Sequence, residues 1–369
     1  APGALWRLMQ SGWLPWLILA ALITVLVILW QLRAAADKHV NQQDIENSKV
    51  THKPPRFFLK RLLNSVIEML TPREWCYRQP WYLFVGVGES GKDSVLGALR
   101  GEVKPYISMK EEKLRAANGL WRFFNHGVLI DVKSDDFNGN KTNRKDSGTS
   151  GDWKSLLEQI QGYRPERPLD GIVININASE VIASSTELNS RIESLRLALW
   201  QLQELSAFAL PVYITINNCQ FIHGFDSFTG AIANSQQQQI FGWSYNGLPD
   251  EIMNARLLDR GMKDVQNTLK HKILQISASD VDIEDADALL LFPHRFWTLQ
   301  SRMKDVVGAL FRDSDPKARL ILRGVYFTGT PESQTTARFV ADLFNRKIFA
   351  EANLAYPTRQ GVLSQNKML

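Results

Sequence analysis

Cysteine is scarce. Only Cys76 and Cys219 occur in 369 residues, which excludes a disulfide-stapled scaffold and leaves no pair at metal-ligand spacing. A strong charge of one sign is also missing. The 43 Lys and Arg against 38 Asp and Glu give a formal +5. That surplus is small and scattered, and no basic helix carries interleaved aromatics, so nucleic acid is not an expected partner. His223, His271 and His294 lie far apart in the chain and pair with no nucleophile. They read as satisfied or exposed side chains. No internal repeat is present.

What is there begins with a long apolar run. Leu14 to Leu32 is 19 residues without a charge. At ~1.5 Å per residue a helix of that length spans roughly 28 Å, the hydrocarbon thickness of a bilayer. Trp13, Trp16 and Trp30 lie near its ends, where indole rings favour the interface. Ala34-Ala35-Ala36 imitates a signal cleavage site, but a signal's apolar stretch is shorter. A transmembrane helix over 12–32 is therefore expected. The N-terminal flank holds Arg7, whereas Arg33, Lys38, Lys49, Lys53, Arg56, Lys60 and Arg61 follow the run. That asymmetry places the bulk of the chain in the cytoplasm. The chain opens on Ala1 and is read as a fragment of a longer protein.

Residues 33–75 read as a helical juxtamembrane linker, with an apolar stripe over Phe57–Leu70 and a helix start at Thr71-Pro72. Strands alternating with helices follow, which predicts an α/β fold: a parallel sheet covered on both faces. Strands are expected at Trp81–Val85, Leu120–Phe124, Gly127–Val132, Gly171–Asn177, Pro211–Asn217 and Arg319–Thr328. Helices are expected at Asp93–Leu99, Trp153–Gly162, Ser184–Ser206, Pro249–Ile276, Pro293–Phe311 and Ala337–Glu351. Residues 135–150 read as a mobile loop. Gln236–Gln239 reads as solvated helix surface, and the acidic run from Asp280 to Asp287 as a solvated connector that lacks the spacing of a calcium loop.

The chemistry concentrates in residues 81–94, WYLFVGVGESGKDS. Gly86, Gly91 and Lys92 match the GxxxxGK spacing of a phosphate-binding loop, in the required strand–loop–helix context. Asp93 stands where the magnesium-binding hydroxyl belongs. Two unit charges ~4 Å apart repel by roughly 4 kcal/mol at an effective dielectric of about 20, so this carboxylate opposes a triphosphate. Ser94 is one residue late and is expected to point about 100° away around the helix. Asp131, ending Val-Leu-Ile-Asp, is placed like a nucleotidase's second acidic residue, but Val132-Lys133-Ser134 supplies no glycine after it. Asn218 and Gln220 stand where a base-reading Lys and Asp are expected. Three readings follow: a loop kept for shape, a nucleotide-binding switch, and an enzyme turning over ATP or GTP with Mg²⁺. The first is preferred, with no cofactor and no catalytic residue. Gly86, Gly91, Lys92, Asp93 and Asp131 are then a vestigial nucleotide site.

Gln79-Pro80-Trp81-Tyr82, Val128-Leu129-Ile130-Asp131, Tyr163-Arg164-Pro165-Glu166-Arg167-Pro168, Leu210-Pro211-Val212-Tyr213, His223-Gly224-Phe225, Leu291-Phe292-Pro293 and Leu322-Arg323-Gly324-Val325-Tyr326-Phe327-Thr328 together resemble the IcmF/TssM family of type VI secretion systems. The resemblance covers roughly residues 12 to 355. It implies a transmembrane hairpin, a cytoplasmic P-loop GTPase-like domain, a third transmembrane helix and a periplasmic region. It further implies a bacterial inner-membrane homo-oligomer that meets a TssL-like membrane protein, a TssJ-like lipoprotein and the tail baseplate. On it, 76–228 is a degenerate P-loop domain, 229–318 a helical subdomain, 319–355 the domain's last strand and helix, and 356–369 the lead-in to a further span. The departures at Asp93, Lys133 and Gln220 set this chain apart from a working nucleotidase.

Overall fold

The structure is a computed structural model. It describes residues 74–99, 121–133, 153–233, 235–245, 247, 255–279, 283, 285–311, 320–332 and 334–358. The expected membrane span, the linker elements up to Pro72, the 135–150 loop and the end of the tail lie outside these residues. No helix among the described residues is long and apolar enough to cross a membrane.

In chain order the elements are α1 (Glu74–Tyr77), β1 (Trp81–Val87), α2 (Lys92–Ala98), β2 (Trp121–Phe123), β3 (Val128–Lys133), α3 (Trp153–Tyr163), β4 (Gly171–Asn177), α4 (Ala178–Ala183), α5 (Thr186–Ser206), β5 (Phe208–Ala209) and β6 (Pro211–Asn217). There follow α6 (Phe225–Ala231), β7 (Gly242–Ser244), α7 (Ala255–Ser277), α8 (Ala286–Leu310), β8 (Ile321–Phe327), a wide π-type helix (Leu343–Ile348) and β9 (Tyr356–Pro357). The main sheet has seven strands in the order β2-β3-β1-β4-β6-β8-β7. The five inner strands run parallel, and β2 and β7 close the edges antiparallel. The mixed α/β architecture with a largely parallel sheet is the one the alternation of strands and helices predicts. Strand order reverses at β1, so the crevice beyond its C-terminal end is a topological switch point.

Period-two alternation divides the apolar strands between two cores. Leu83, Val85, Ile172, Ile174, Val212, Ile214, Val325 and Phe327 face one side, packed with residues of α3 to α8. Tyr82, Phe84, Val173, Tyr213 and Tyr326 face the other, with Val95 and Leu96 of α2 and Leu343, Phe344 and Phe349 of the C-terminal helix. Both sides of the sheet are therefore covered. A bulge opposite Val212 and Tyr213 resets the alternation in β8, which lets Leu322 and Val325 share a face.

A buried ion cluster anchors the start of β1. The Asp170 carboxylate accepts from the Trp81 amide (2.7 Å) and from Arg164 Nη1 (2.7 Å), and Arg167 Nε lies 2.9 Å from its other oxygen. The Arg164 guanidinium sits between the rings of Tyr77 and Trp81, 4.7 and 5.1 Å from their centroids.

Four expectations are corrected. The glutamine run is a turn rather than helix surface. Gln237 is buried, donating through Nε2 to the carbonyls of Thr229 (2.7 Å) and Ile232 (3.2 Å). The helix expected from Pro293 starts earlier, at Ala286, with Pro293 in its interior. Its N-cap is Asp285, whose Oδ1 accepts from the Ala288 amide at 2.9 Å, so part of the acidic run is a cap rather than a connector. The last helix begins at Ala341 rather than Ala337 and winds into the wide turn. The edge strand β7, within the segment expected to be helical, was not anticipated.

Candidate functional site: the loop after the first strand

The loop runs from Gly86 to Lys92, where β1 hands over to α2. Two of its glycines need their conformational freedom. Gly88 (φ +58) and Gly91 (φ +66) occupy the left-handed region, which favours glycine. A side chain at Gly91 would also meet the Asn217 and Asn218 amides at 2.7–2.9 Å.

Three asparagines brace this loop from the ends of β4 and β6. Asn177 Nδ2 donates to the Glu89 carbonyl (3.0 Å), Asn175 Nδ2 to the Ser90 carbonyl (2.8 Å) and Asn217 Nδ2 to the Gly91 carbonyl (2.8 Å). Each amide is held by a hydroxyl donating to its Oδ1: Ser179 for Asn177 (2.8 Å), Thr215 for Asn175 (2.8 Å) and Thr328 for Asn217 (3.0 Å). In a planar trans peptide the C=O and N–H point opposite ways. The amides of Ser90, Gly91 and Lys92 are thus aimed away from the braces.

The charges near the loop satisfy one another. Lys92 Nζ donates to the Asp131 carboxylate and, at 2.8 Å, to the Val132 carbonyl. The two side chains are 10% and 19% exposed, so the pair is partly shielded from water and correspondingly strong. The Lys92 stem lies close against Gly86. A second carboxylate reaches the loop from α4: Glu180 Oε1 accepts from the Glu89 amide at 3.2 Å. Arg191 of α5 lies 3.7 Å from Glu180 and 2.7 Å from Glu187. Burial pushes the Glu180 carboxyl above its ordinary range, against the pull of the Glu89 amide and Arg191.

Of the residues singled out in the sequence, Gly86, Gly91, Lys92 and Asp131 come together. Asp93 does not join them; it is exposed on the first turn of α2. Ser94, expected to point away, is turned to the brace side, donating to the Gly91 carbonyl (2.8 Å) and accepting from Asn217 (2.9 Å). Gln220 Oε1 is engaged by the Thr330 amide at 3.0 Å. His223, His271 and His294 are exposed. Among the described residues no group of three potential metal ligands converges. Cys219 is buried, and burial pushes its thiol far up, away from nucleophilic use.

A magnesium nucleotide needs a lysine, a metal-binding hydroxyl and loop amides turned to its phosphates. Here Lys92 is spent on Asp131, the Ser94 hydroxyl is spent on Gly91 and Asn217, and the Glu89 amide is spent on Glu180. The lysine, the hydroxyl and the Glu89 amide as arranged do not fit that ligand, whereas the Ser90, Gly91 and Lys92 amides are turned away from the braces. Sequence reasoning missed Asn175, Asn177, Asn217, Glu180 and Arg191. The asparagines had a signal: they interrupt otherwise apolar buried strands on one parity. Glu180 and Arg191 had none, because both lie on helix surfaces.

The family model for the IcmF-related N-terminal domain matches residues 146–368. The type VI secretion system component TssM1 of Pseudomonas aeruginosa is 23% identical over 322 residues, 82% of this chain. The chain spans 29% of the length of that relative. A crystal structure of an SsGBP variant aligns at 16% identity over 47% of this chain and 50% of its own, with a TM-score of 0.22; so low a score supports no argument about fold. The match over more than half of the sequence, with the motifs named above, shows that the chain belongs to the family of IcmF-related N-terminal domains, the IcmF/TssM family.

Proposed function

We propose that this chain is a structural part of a type VI secretion membrane complex. On this reading a P-loop GTPase-like domain is retained for its shape, and it holds the tail baseplate at the cytoplasmic face of the inner membrane. The kinship with TssM1 supports the secretion role. The observation that carries the scaffold reading is the closed Lys92–Asp131 pair: the cation that would meet a nucleotide's outer phosphates is already neutralised by the chain itself. No cofactor is required. The parts outside the described residues would supply the membrane anchor and the contacts with TssL-like and TssJ-like partners, in a homo-oligomer.

A nucleotide-binding switch is the second reading, favoured by the two left-handed glycines and by the Ser90, Gly91 and Lys92 amides turned away from the asparagine braces. It would require Lys92 to leave Asp131. Secretion by cells carrying Lys92→Ala in the full-length protein separates the two. The scaffold reading expects secretion within about twofold of wild type. Loss of secretion by a variant that is still folded and assembled would reject it.

A further inference from the structure

The sequence points to Asp93 as the residue that spoils the loop, yet Asp93 faces solvent. Two other carboxylates touch the loop's binding groups. Asp131 holds Lys92, and Glu180 holds the Glu89 amide. Gly88 fixes the second contact, because its missing side chain is the space that the ends of Glu180 and Arg191 occupy. Arg191, whose Nη1 also lies against Gly88, is 3.7 Å from that carboxylate. We infer that Glu180 and Asp131 form a built-in plug: two of the chain's own carboxylates occupy the Glu89 amide and Lys92, two of the loop's donors, and they, not Asp93, weaken its hold on phosphate.

The physical basis is competition for the same donors. A phosphate oxygen offered to the Glu89 amide meets the Glu180 oxygen already there. An external anion that draws on Lys92 must first break its pair with Asp131. Asp93, in water on the first turn of α2, repels only through a high-dielectric path, where at ~4 Å two charges interact by about 1 kcal/mol. The inference rests on the reading that the loop serves no nucleotide in the wild-type chain, and it adds which residues ensure this.

The test titrates the purified full chain in detergent with magnesium pyrophosphate and reads heat of binding. Wild type and Asp93→Ser are expected to bind equally weakly. Glu180→Ala combined with Asp131→Asn is expected to bind at least tenfold more tightly, and adding Lys92→Ala should abolish the gain. Circular dichroism checks the fold of each variant. If the double variant does not fold, Glu180→Ala alone decides. The Glu89 amide resonance of that variant should then move on adding pyrophosphate, while that of wild type stays still. Tighter binding by Asp93→Ser alone would overturn the inference and return the block to position 93. So would a folded double variant no tighter than wild type, or a Glu89 resonance that stays still in Glu180→Ala. The proposed function fails separately, on secretion by Lys92→Ala, a result on which the plug does not depend.

Discussion

Arg164 shows how one residue holds the entry to β1. It is fully buried, paired with Asp170 and stacked between two aromatic rings. Removing one partner of a buried pair leaves the other charge stranded, a loss of about 3–5 kcal/mol. In Arg164→Ala the Asp170 carboxylate keeps Arg167 and the Trp81 amide, so stability should fall by less than that amount, read as a shift of the urea midpoint. The Arg-Pro-Glu-Arg-Pro stretch that looks like a mere family signature is thus the sequence trace of an ion cluster. Glu351 is the counterpart on the other core. Burial alone would raise its carboxyl, but hydrogen bonds from Arg323, Lys347 and Tyr213 outweigh that and hold it below its ordinary 4.5. A group whose folded value is depressed stabilises fully above its unfolded value and loses that contribution as pH falls through the folded one. Stability should thus decline below about pH 4.5, and Glu351→Gln should flatten the decline in urea midpoints measured between about pH 6 and about pH 3. Equal slopes in the two proteins would contradict the assignment.

At the scale of the element, the legible parts were those with one dominant signal. The inner strands Trp81–Val87, Gly171–Asn177 and Pro211–Asn217 are near-continuous apolar runs, as buried parallel strands require. A helix starting at Pro293 agrees with proline's low cost in a first turn, yet Pro293 lies inside α8. The start is set by Asp285, whose capping bond was hidden among neighbouring acids. Asp285→Ala should cost about 1 kcal/mol, seen as a lower melting temperature with the far-ultraviolet spectrum unchanged. Gln237 was illegible for a related reason. Four identical side chains in a row carry no periodicity, and tertiary packing alone decides that one of them turns inward to two carbonyls. The three-residue β7 is too short to show alternation, and its pairing with β8 is a non-local fact.

For the whole molecule, the sheet's two covered faces meet at the crevice beyond β1, and this is where sequence and structure part most usefully. The motif spacing located the site. The identity of the residues that neutralise it depended on contacts between positions 39 and 91 residues apart, which no local pattern records. The asparagine braces, with β1 packed into both cores and α2 into one, make the loop part of the domain's internal framework. A loop so tied has a structural reason to persist without a ligand, and that suits a domain similar to part of the type VI secretion system component TssM1. The most direct test of this account is a calorimetric titration of the purified wild-type chain with Mg-ATP and Mg-GTP. The account predicts no binding for either nucleotide at micromolar concentration; saturable micromolar binding of either, lost in Lys92→Ala, would contradict it.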